Sequence, residues 1–301
     1  MNVSSLKARP QYQAVVTRRT LKKIASKGAF YLLILIILVY IIFPFYWAIV
    51  SSLKPMTELY SNPLTYWPNH LTFDNYSKVL GNNLFLHALL NSTIVSLLVT
   101  VISVVLGSLA AYALGRFRFR GRSFILYLIL SMTLFPTIAV LGGLFQIVSS
   151  LHTILYDQLT ALILTYLIFT MPFTVWVLRS FFQSIPVEIE EAAYVDGANP
   201  WQIYYRVMIP LALPGLATTG LLAFIQAWNE LLFALSFIIT PERQTVALAI
   251  TNFQPQGGQG YAIDWGQVMA ATVIVTLPLV ALALIFQRLI LSGLTAGGVK
   301  G

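Results

Sequence analysis

Ten acidic residues, three histidines and no cysteine leave this 301-residue chain little with which to do covalent chemistry. Three of the acids, Glu188, Glu190 and Glu191, stand together just after Pro186. Carboxylates there suit the positive end of a helix dipole, and Gly197 supplies a left-handed stop, so the stretch predicts a short helix. Asn199 and Pro200 have the residue types of an N-cap and first helical position, opening a second short helix. Trp201, Ile203 and Tyr204 give that helix an apolar face, and Pro210 ends it. Amphipathicity alone fits a docking element and equally an interfacial helix that only joins two spans. Glu230, after Trp228-Asn229, is the one acid deep in an apolar stretch, where an ionisable group faces protein or water and marks a functional position. Gln226, Asn229 and Glu230 offer donors and acceptors that suit sugar hydroxyls, and equally suit bridging between helices.

Other chemistries lack their residues. No phosphate-binding Gly-x-x-x-x-Gly-Lys-Ser/Thr loop occurs, and Gly297-Gly298-Val299-Lys300-Gly301 is too short for one. His70, His87 and His152 are far apart in sequence, so no metal site is expected. A Ser–His pair or paired Asp residues within the spans, as an intramembrane protease needs, are missing. No cofactor of its own is expected for this chain, and no nucleic acid: the net charge of +8 falls in loops and the N-terminal segment.

The elements that must position these residues are membrane spans. Hydrophobic residues make up 58% of the chain and charged ones 9%, too little charge to cover a soluble surface. An all-α membrane protein follows, with six stretches long enough to cross the bilayer: about 29–50, 86–114, 124–148, 159–178, 211–238 and 268–291. Basic residues collect on one side. Seven precede the first span, Arg116, Arg118, Arg120 and Arg122 lie between the second and third, Arg179 and Arg206 between the fourth and fifth, and Arg288 and Lys300 near the end. Lys54, Lys78 and Arg243 are left for the other side, so both termini are expected in the cytoplasm. The expected organisation is a basic arm over 1–28, a six-span domain over 29–292 and a cytoplasmic tail over 293–301. The arm predicts a topology signal able to rest on anionic membrane lipid, not a cleaved leader, since the apolar run after it is too long. Pro44, Pro136, Pro172, Pro214 and Pro278 predict bends in or near five spans.

One motif narrows the function. Glu191-Ala192-Ala193, three residues, Gly197, nine residues and Val207-Met208-Ile209-Pro210 is similar to the Glu-Ala-Ala signature of binding-protein-dependent ABC importer permeases, with every spacing matched. Val207 and Ile209 replace the signature's Ile and Leu. Trp228-Asn229-Glu230 resembles a segment of the carbohydrate-type permeases, and 293–301 resembles the tail of the maltose-transporter kind. The resemblance covers roughly 29–301 and leaves out the basic arm.

That resemblance implies a permease subunit of a sugar or oligosaccharide importer in a bacterial or archaeal inner membrane. It would couple to ATPase subunits through a cytoplasmic helix between spans four and five, using Glu190, Glu191, Ala192, Ala193, Asp196, Gly197, Val207, Ile209 and Pro210. Thr295, Gly297, Gly298 and Lys300 would form an extended tail at the ATPase interface, and Gln226, Asn229 and Glu230 would face the pathway. Implied partners are a second related permease, two ATP-binding subunits that hold the ATP and magnesium, and an extracytoplasmic solute-binding protein. By its position the outer loop at about 240–267 would meet that binding protein, and it equally fits a plain surface loop; the other outer loop, about 51–85, lacks long apolar runs. The rival expectation is an ATP-independent carrier or channel, which calls for ionisable residues in several spans. A membrane enzyme calls for a catalytic constellation that the chain lacks.

Overall fold

A computed structural model describes residues 10–151, 154–253 and 263–298, with side chains of the first and last helices described over 26–52 and 265–289. Among the described residues there is helix and no strand. The helices are α1 (Pro10–Ser52), α2 (Met56–Leu59), α3 (Asp74–Leu80), α4 (Asn83–Arg116), α5 (Arg122–Leu134), α6 (Thr137–Ser150) and α7 (Leu159–Ser184). Then come α8 (Val187–Val195), α9 (Pro200–Gln202), a π-helical stretch Ile203–Met208, α10 (Ile209–Leu211), α11 (Leu213–Trp228), α12 (Leu232–Phe237), α13 (Val246–Thr251) and α14 (Trp265–Gly298). Four helices, α1, α4, α7 and α14, are long and apolar enough to cross a membrane. Two bent pairs bring the number to as many as six: α5 with α6, bent by 96°, and Pro200–Leu211 with α11, bent by 76°.

Three expectations change and one gains detail. The third stretch is two helices, because Phe135, preceding Pro136, takes extended backbone and the proline cannot continue the ladder. The fifth breaks between Trp228 and Leu232, where Glu230 turns its carboxylate onto the backbone of the next helix. From Pro10 on, the basic arm is helical and continues into the first span as α1, lysine and arginine being good helix formers. Thr295, Gly297 and Gly298 lie in α14 rather than in an extended tail. A helical glycine costs about 1 kcal/mol relative to alanine, too little to stop a helix already propagating.

Packing runs from neighbour to neighbour: α1 on α14, α14 on α11, α11 on α4 and α7, and α7 on α5. The α4–α7 contact is the most extensive and is made close by small residues. A Cβ on Gly107 would meet Thr174 Cγ2 at 2.8 Å, and Ser103 and Thr170 share a hydrogen bond of 2.7 Å. Small residues and hydroxyl pairs of this kind bring apolar helices together where water supplies no hydrophobic drive. The same logic seats α11, whose Gly215 leaves no space for a Cβ beside the Phe181 ring. One end of the bundle carries the loop after Arg116 and the α8–α10 segment; it is called the basic end below. The opposite end carries residues 53–82, the α6–α7 connection and the segment from Ile238 to Phe253.

Candidate functional site

At the basic end, α8 is bounded by chemistry local to its sequence. Ile185 and Pro186 are extended, with ψ of 130° and 137°, so α7 stops and α8 starts afresh. Gly197 has φ of +81°; its N–H donates to Tyr194 O and the Ala198 N–H to Ala193 O, both at 3.0 Å. Those two bonds are a Schellman stop, which glycine allows without a Cβ penalty. Asn199 then caps the next turn reciprocally: the Gln202 N–H donates to Asn199 Oδ1 at 2.8 Å, and the Asn199 N–H to Gln202 Oε1 at 2.9 Å. Pro210 has no N–H to give the preceding turn, and the helix widens to π geometry just before it.

Long-range bonds then orient α8. Glu190 is 6% exposed and points at α4: Tyr112 Oη donates to its Oε1 at 2.7 Å, and Arg116 Nε lies 3.3 Å from its Oε2. The same guanidinium donates through Nη2 to Ile185 O at 2.6 Å, clamping the residue ahead of α8 as well. Ser108 and the Tyr204 hydroxyl, 2.7 Å apart, tie the π stretch to the same helix. The carbonyls at the end of α4 are also covered by guanidinium groups, Arg179 on Leu114 and Arg122 on Gly115. Cations belong there, at the negative end of a helix dipole.

The nine coupling residues therefore divide. Glu191, Ala192, Asp196 and Gly197 are exposed, with Tyr194 and Val195 beside them; Val195 is 88% exposed. Glu190 and Ala193 face the protein instead, Ala193 packing on the cluster formed by Tyr112, Phe182 and Tyr204. Val207 and Ile209 are half-buried, and Pro210 is exposed. A cavity of about 520 Å³ opens between α8 and the loop after α4, lined by Arg116, Arg118, Arg122, Glu190 and Glu191 among others. Sequence reasoning missed Arg116 and Tyr112. Their spacing of four places them on one helix face, but nothing local says that Glu190 answers them. Of the tail residues, Thr295, Gly297 and Gly298 have described backbone only, and Lys300 lies outside the described residues.

The three pathway residues also divide. Gln226 and Glu230 line a cavity of about 110 Å³ with Thr137, Tyr166 and Thr170. Asn229 ends α11 with its side chain donating to Ile225 O at 2.8 Å. Glu230 accepts from the Phe233 N–H at 3.0 Å and the Ala234 N–H at 3.3 Å, so it caps α12 as well as facing the cavity. Sequence reasoning missed Thr137, Tyr166 and Thr170. Tyr166 and Thr170 are four apart on α7, while Thr137 follows the Pro136 break. Among the described residues no cluster of His, Asp or Glu is placed to hold a metal.

Two carboxylates organise the opposite end. Burial alone would raise the Glu58 pKa, but the Asn69 N–H at 2.8 Å, the Thr65 hydroxyl at 2.8 Å, the His70 N–H and nearby Lys54 hold it below its ordinary 4.5. Lys54 itself donates to Thr65 O and sits 5.4 Å over the Trp47 ring. Asp157, with φ of +58°, joins α6–α7 to the segment after α12. Burial would raise its pKa too, and the Thr240 hydroxyl, the Thr240 and Ile239 N–H groups and Arg243 lower it overall. His70 gives only its backbone to this network among the bonds described, and His152 lies outside the described residues.

The segment 103–295 matches the family model described as "Binding-protein-dependent transport system inner membrane component". The chain belongs to that family. This permease is 41% identical over 262 residues to the trehalose transport system permease protein SugB of Mycobacterium tuberculosis, covering 87% of this chain and 93% of the relative. It is likewise 41% identical over 262 residues to the trehalose/maltose transport system permease protein MalG of Thermococcus litoralis, covering 86% and 92%. Among solved structures, a chain of a bacterial ABC transporter involved in import of the acidic polysaccharide alginate superposes with a TM-score of 0.76 at 24% identity, over 90% of this chain and 97% of that one. That likeness shows the fold. The family makes this chain a membrane component of an ABC importer that works with a binding protein and leaves ATP hydrolysis to separate subunits.

Proposed function

We propose that this permease imports a sugar or oligosaccharide across a bacterial or archaeal inner membrane as one half of a translocation pathway. The relatives named for trehalose and maltose, alike over most of their length, support the substrate class. In this reading the chain crosses the membrane six times, each bent pair counting as one crossing, with the basic end and both termini in the cytoplasm. Two ATPase subunits, which carry the ATP and magnesium, dock on α8 and close on ATP. The opposite end meets a loaded solute-binding protein. A second, related permease supplies the other half of the pathway, because six spans line only one side of it. The arm residues before the first span rest on lipid head groups.

The observation that carries the docking role is the division of α8. Its inward side is held by Glu190, while Glu191, Ala192, Tyr194 and Val195 stand exposed for another protein. In the pathway, Gln226 and Glu230 meet a polyhydroxylated solute from the small cavity they share with Thr137, Tyr166 and Thr170. Alternating access follows from the docking: subunit closure displaces α8, the spans rock to open the pathway towards the binding protein, and hydrolysis resets them.

The test is affinity recovery of the tagged permease from its native membranes, beside Gly197→Asp, which puts a side chain and a charge where φ is +81°. Wild-type chain is expected to bring down an ATPase and a second six-span permease, with the ATPase lost in the variant. A folded wild-type chain recovered alone or only with copies of itself would overturn the proposal.

A further inference from the structure

Helix α4 touches functional segments at both of its ends. At the basic end Ser108, Tyr112 and Arg116, each four residues from the next, form one stripe along it. That stripe bonds Tyr204, Glu190 and Ile185 O, on both sides of and within α8. At the other end Asn91 Nδ2 donates to Glu242 O at 2.8 Å and Gln244 O at 3.0 Å, and buried Ser92 Oγ accepts the Val246 N–H at 2.8 Å. Those carbonyls belong to the segment that leads into α13 and the loop beyond it. The helix has 34 residues and no proline, and from Asn91 to Arg116 it is a rod of about 38 Å.

The backbone on either side of α8 is not such a rod. Ile185–Pro186 is extended and Gly197 is left-handed, so α8 has a break at each terminus. Along the backbone, a push on its exposed face reaches α7 or α11 only through these bends, while Ala193 packs on the cluster that holds Phe182 and Tyr204. The polar route is sideways, through Glu190 to Tyr112 and Arg116 of α4. Arg116 suits that position because one planar guanidinium holds both the Glu190 carboxylate and the Ile185 carbonyl, a geometry that lysine, a single point charge, cannot copy.

We infer that α4 is the member through which α8 and the 242–246 segment move together, with Arg116 the positioning residue at its driven end. This rests on the docking role proposed for α8. Motion imposed by the ATPase subunits reaches the binding-protein side along α4, and a loaded binding protein pressing on the 242–246 segment signals inward along the same helix. Asn91 and Ser92 are the matching positions at the far end.

The experiment uses the complete complex in nanodiscs, with ATPase subunits, partner permease and solute-binding protein. Since the chain has no cysteine, Val187→Cys and Leu106→Cys introduce the only two labels on it, both at exposed sites. Their spin-label distance is expected to hold within about 2 Å between resting and ATP-trapped complexes, no more than a small interface shift. A larger change in the wild-type background overturns the inference. In parallel, Arg116→Met with Glu190→Met removes both charges together, so that neither is left buried alone, while the Tyr112 hydroxyl and Ile185 O lose these partners. Stimulation of ATP hydrolysis by loaded binding protein and uptake are expected to fall about tenfold from the wild-type level, the scale of a typical coupling free energy. Arg116→Lys is expected to fall between the two. Wild-type uptake in the double variant refutes the role of Arg116. If the double variant does not assemble, Arg116→Lys and the distance measurement decide. A wild-type chain that recruits no ATPase subunit brings down the docking reading itself, a different outcome from an ATPase-bound complex that is indifferent to residue 116.

Discussion

Each end of the permease is organised by a buried carboxylate, and the two are used in opposite ways. Glu58, at the end opposite the arginines, takes its hydrogen bonds from Thr65, Asn69 and His70, none more than 12 residues away. It folds a loop onto itself. Glu190 accepts a hydrogen bond from Tyr112, 78 residues away, and pairs its charge with Arg116, both on another helix. It fastens one element to another. A self-closed loop makes a firm surface for a partner to press on, whereas a helix fastened sideways and bounded by breaks is built to be moved.

The largest effect expected from breaking this contrast is at Glu190. Glu190→Ala leaves Arg116 buried beside Ile185 with no counter-charge, and removing one partner of a buried ion pair costs about 3–5 kcal/mol. Thermal unfolding of the purified permease should show a clear fall in midpoint, and hydrogen exchange should rise in both α8 and the last turns of α4. Exchange rising in α8 alone would mean that the tie to α4 contributes little.

At the other end Glu58→Gln should cost about 1 kcal/mol, because the amide oxygen can still accept from the Thr65 hydroxyl and the Asn69 N–H and only the charge is lost. Its folded pKa is lowered, so its contribution is complete above the ordinary 4.5 and disappears as pH falls through the lowered value. Unfolding followed from neutral pH downward should show the wild type and Glu58→Gln converging in acid. Curves that stay parallel to the lowest pH would remove Glu58 as the source. Exchange in α8 should not change in this variant, which is what separates a self-closed loop from a fastened helix.

These contrasts were unequally legible in the residues. The stop at Gly197 and the cap at Asn199-Pro200 depend on atoms within a few residues, so residue type and order suffice to read them. The long helices were legible too, since a run of apolar residues has few alternatives in a bilayer. Which of Glu190 and Glu191 turns inward was not, because it depends on the rotation of α8 against α4, a distant partner. Glu230 misled for a related reason: an unbroken apolar run reads as one helix, and only in three dimensions does its carboxylate cap a new start at Leu232. Pro136 announced a bend, but not one of 96°.

The turn at Gly197 gives a smaller test of the same contrast. Gly197→Ala forces a Cβ into the left-handed region at a cost of about 1–2 kcal/mol, with no neighbouring atom within 4 Å to add a clash. Because the stop is local while the Glu190 tie is not, the loss should appear as faster exchange at Gly197 and Ala198, with the Tyr112–Glu190 contact kept. Loosening of Tyr112 by this variant would show that the turn and the tie act as one unit.

Asn199→Ala should have the smallest effect, about 1 kcal/mol, the usual worth of an N-cap. It removes the oxygen that receives the Gln202 N–H and leaves the Gln202 side chain still able to accept from residue 199. Half of the capping box survives, and Pro200 keeps its φ suited to a first turn. The second helix should therefore fray at Pro200–Gln202 without shifting the π stretch, which Tyr204 holds to Ser108 independently. Exchange at the Gln202 amide should quicken about fivefold, the kinetic equivalent of 1 kcal/mol, while unfolding temperature barely moves. If Tyr204 loosened as well, the cap would be holding more than its own turn, and the basic end would owe its order to local chemistry rather than to the tie across to α4.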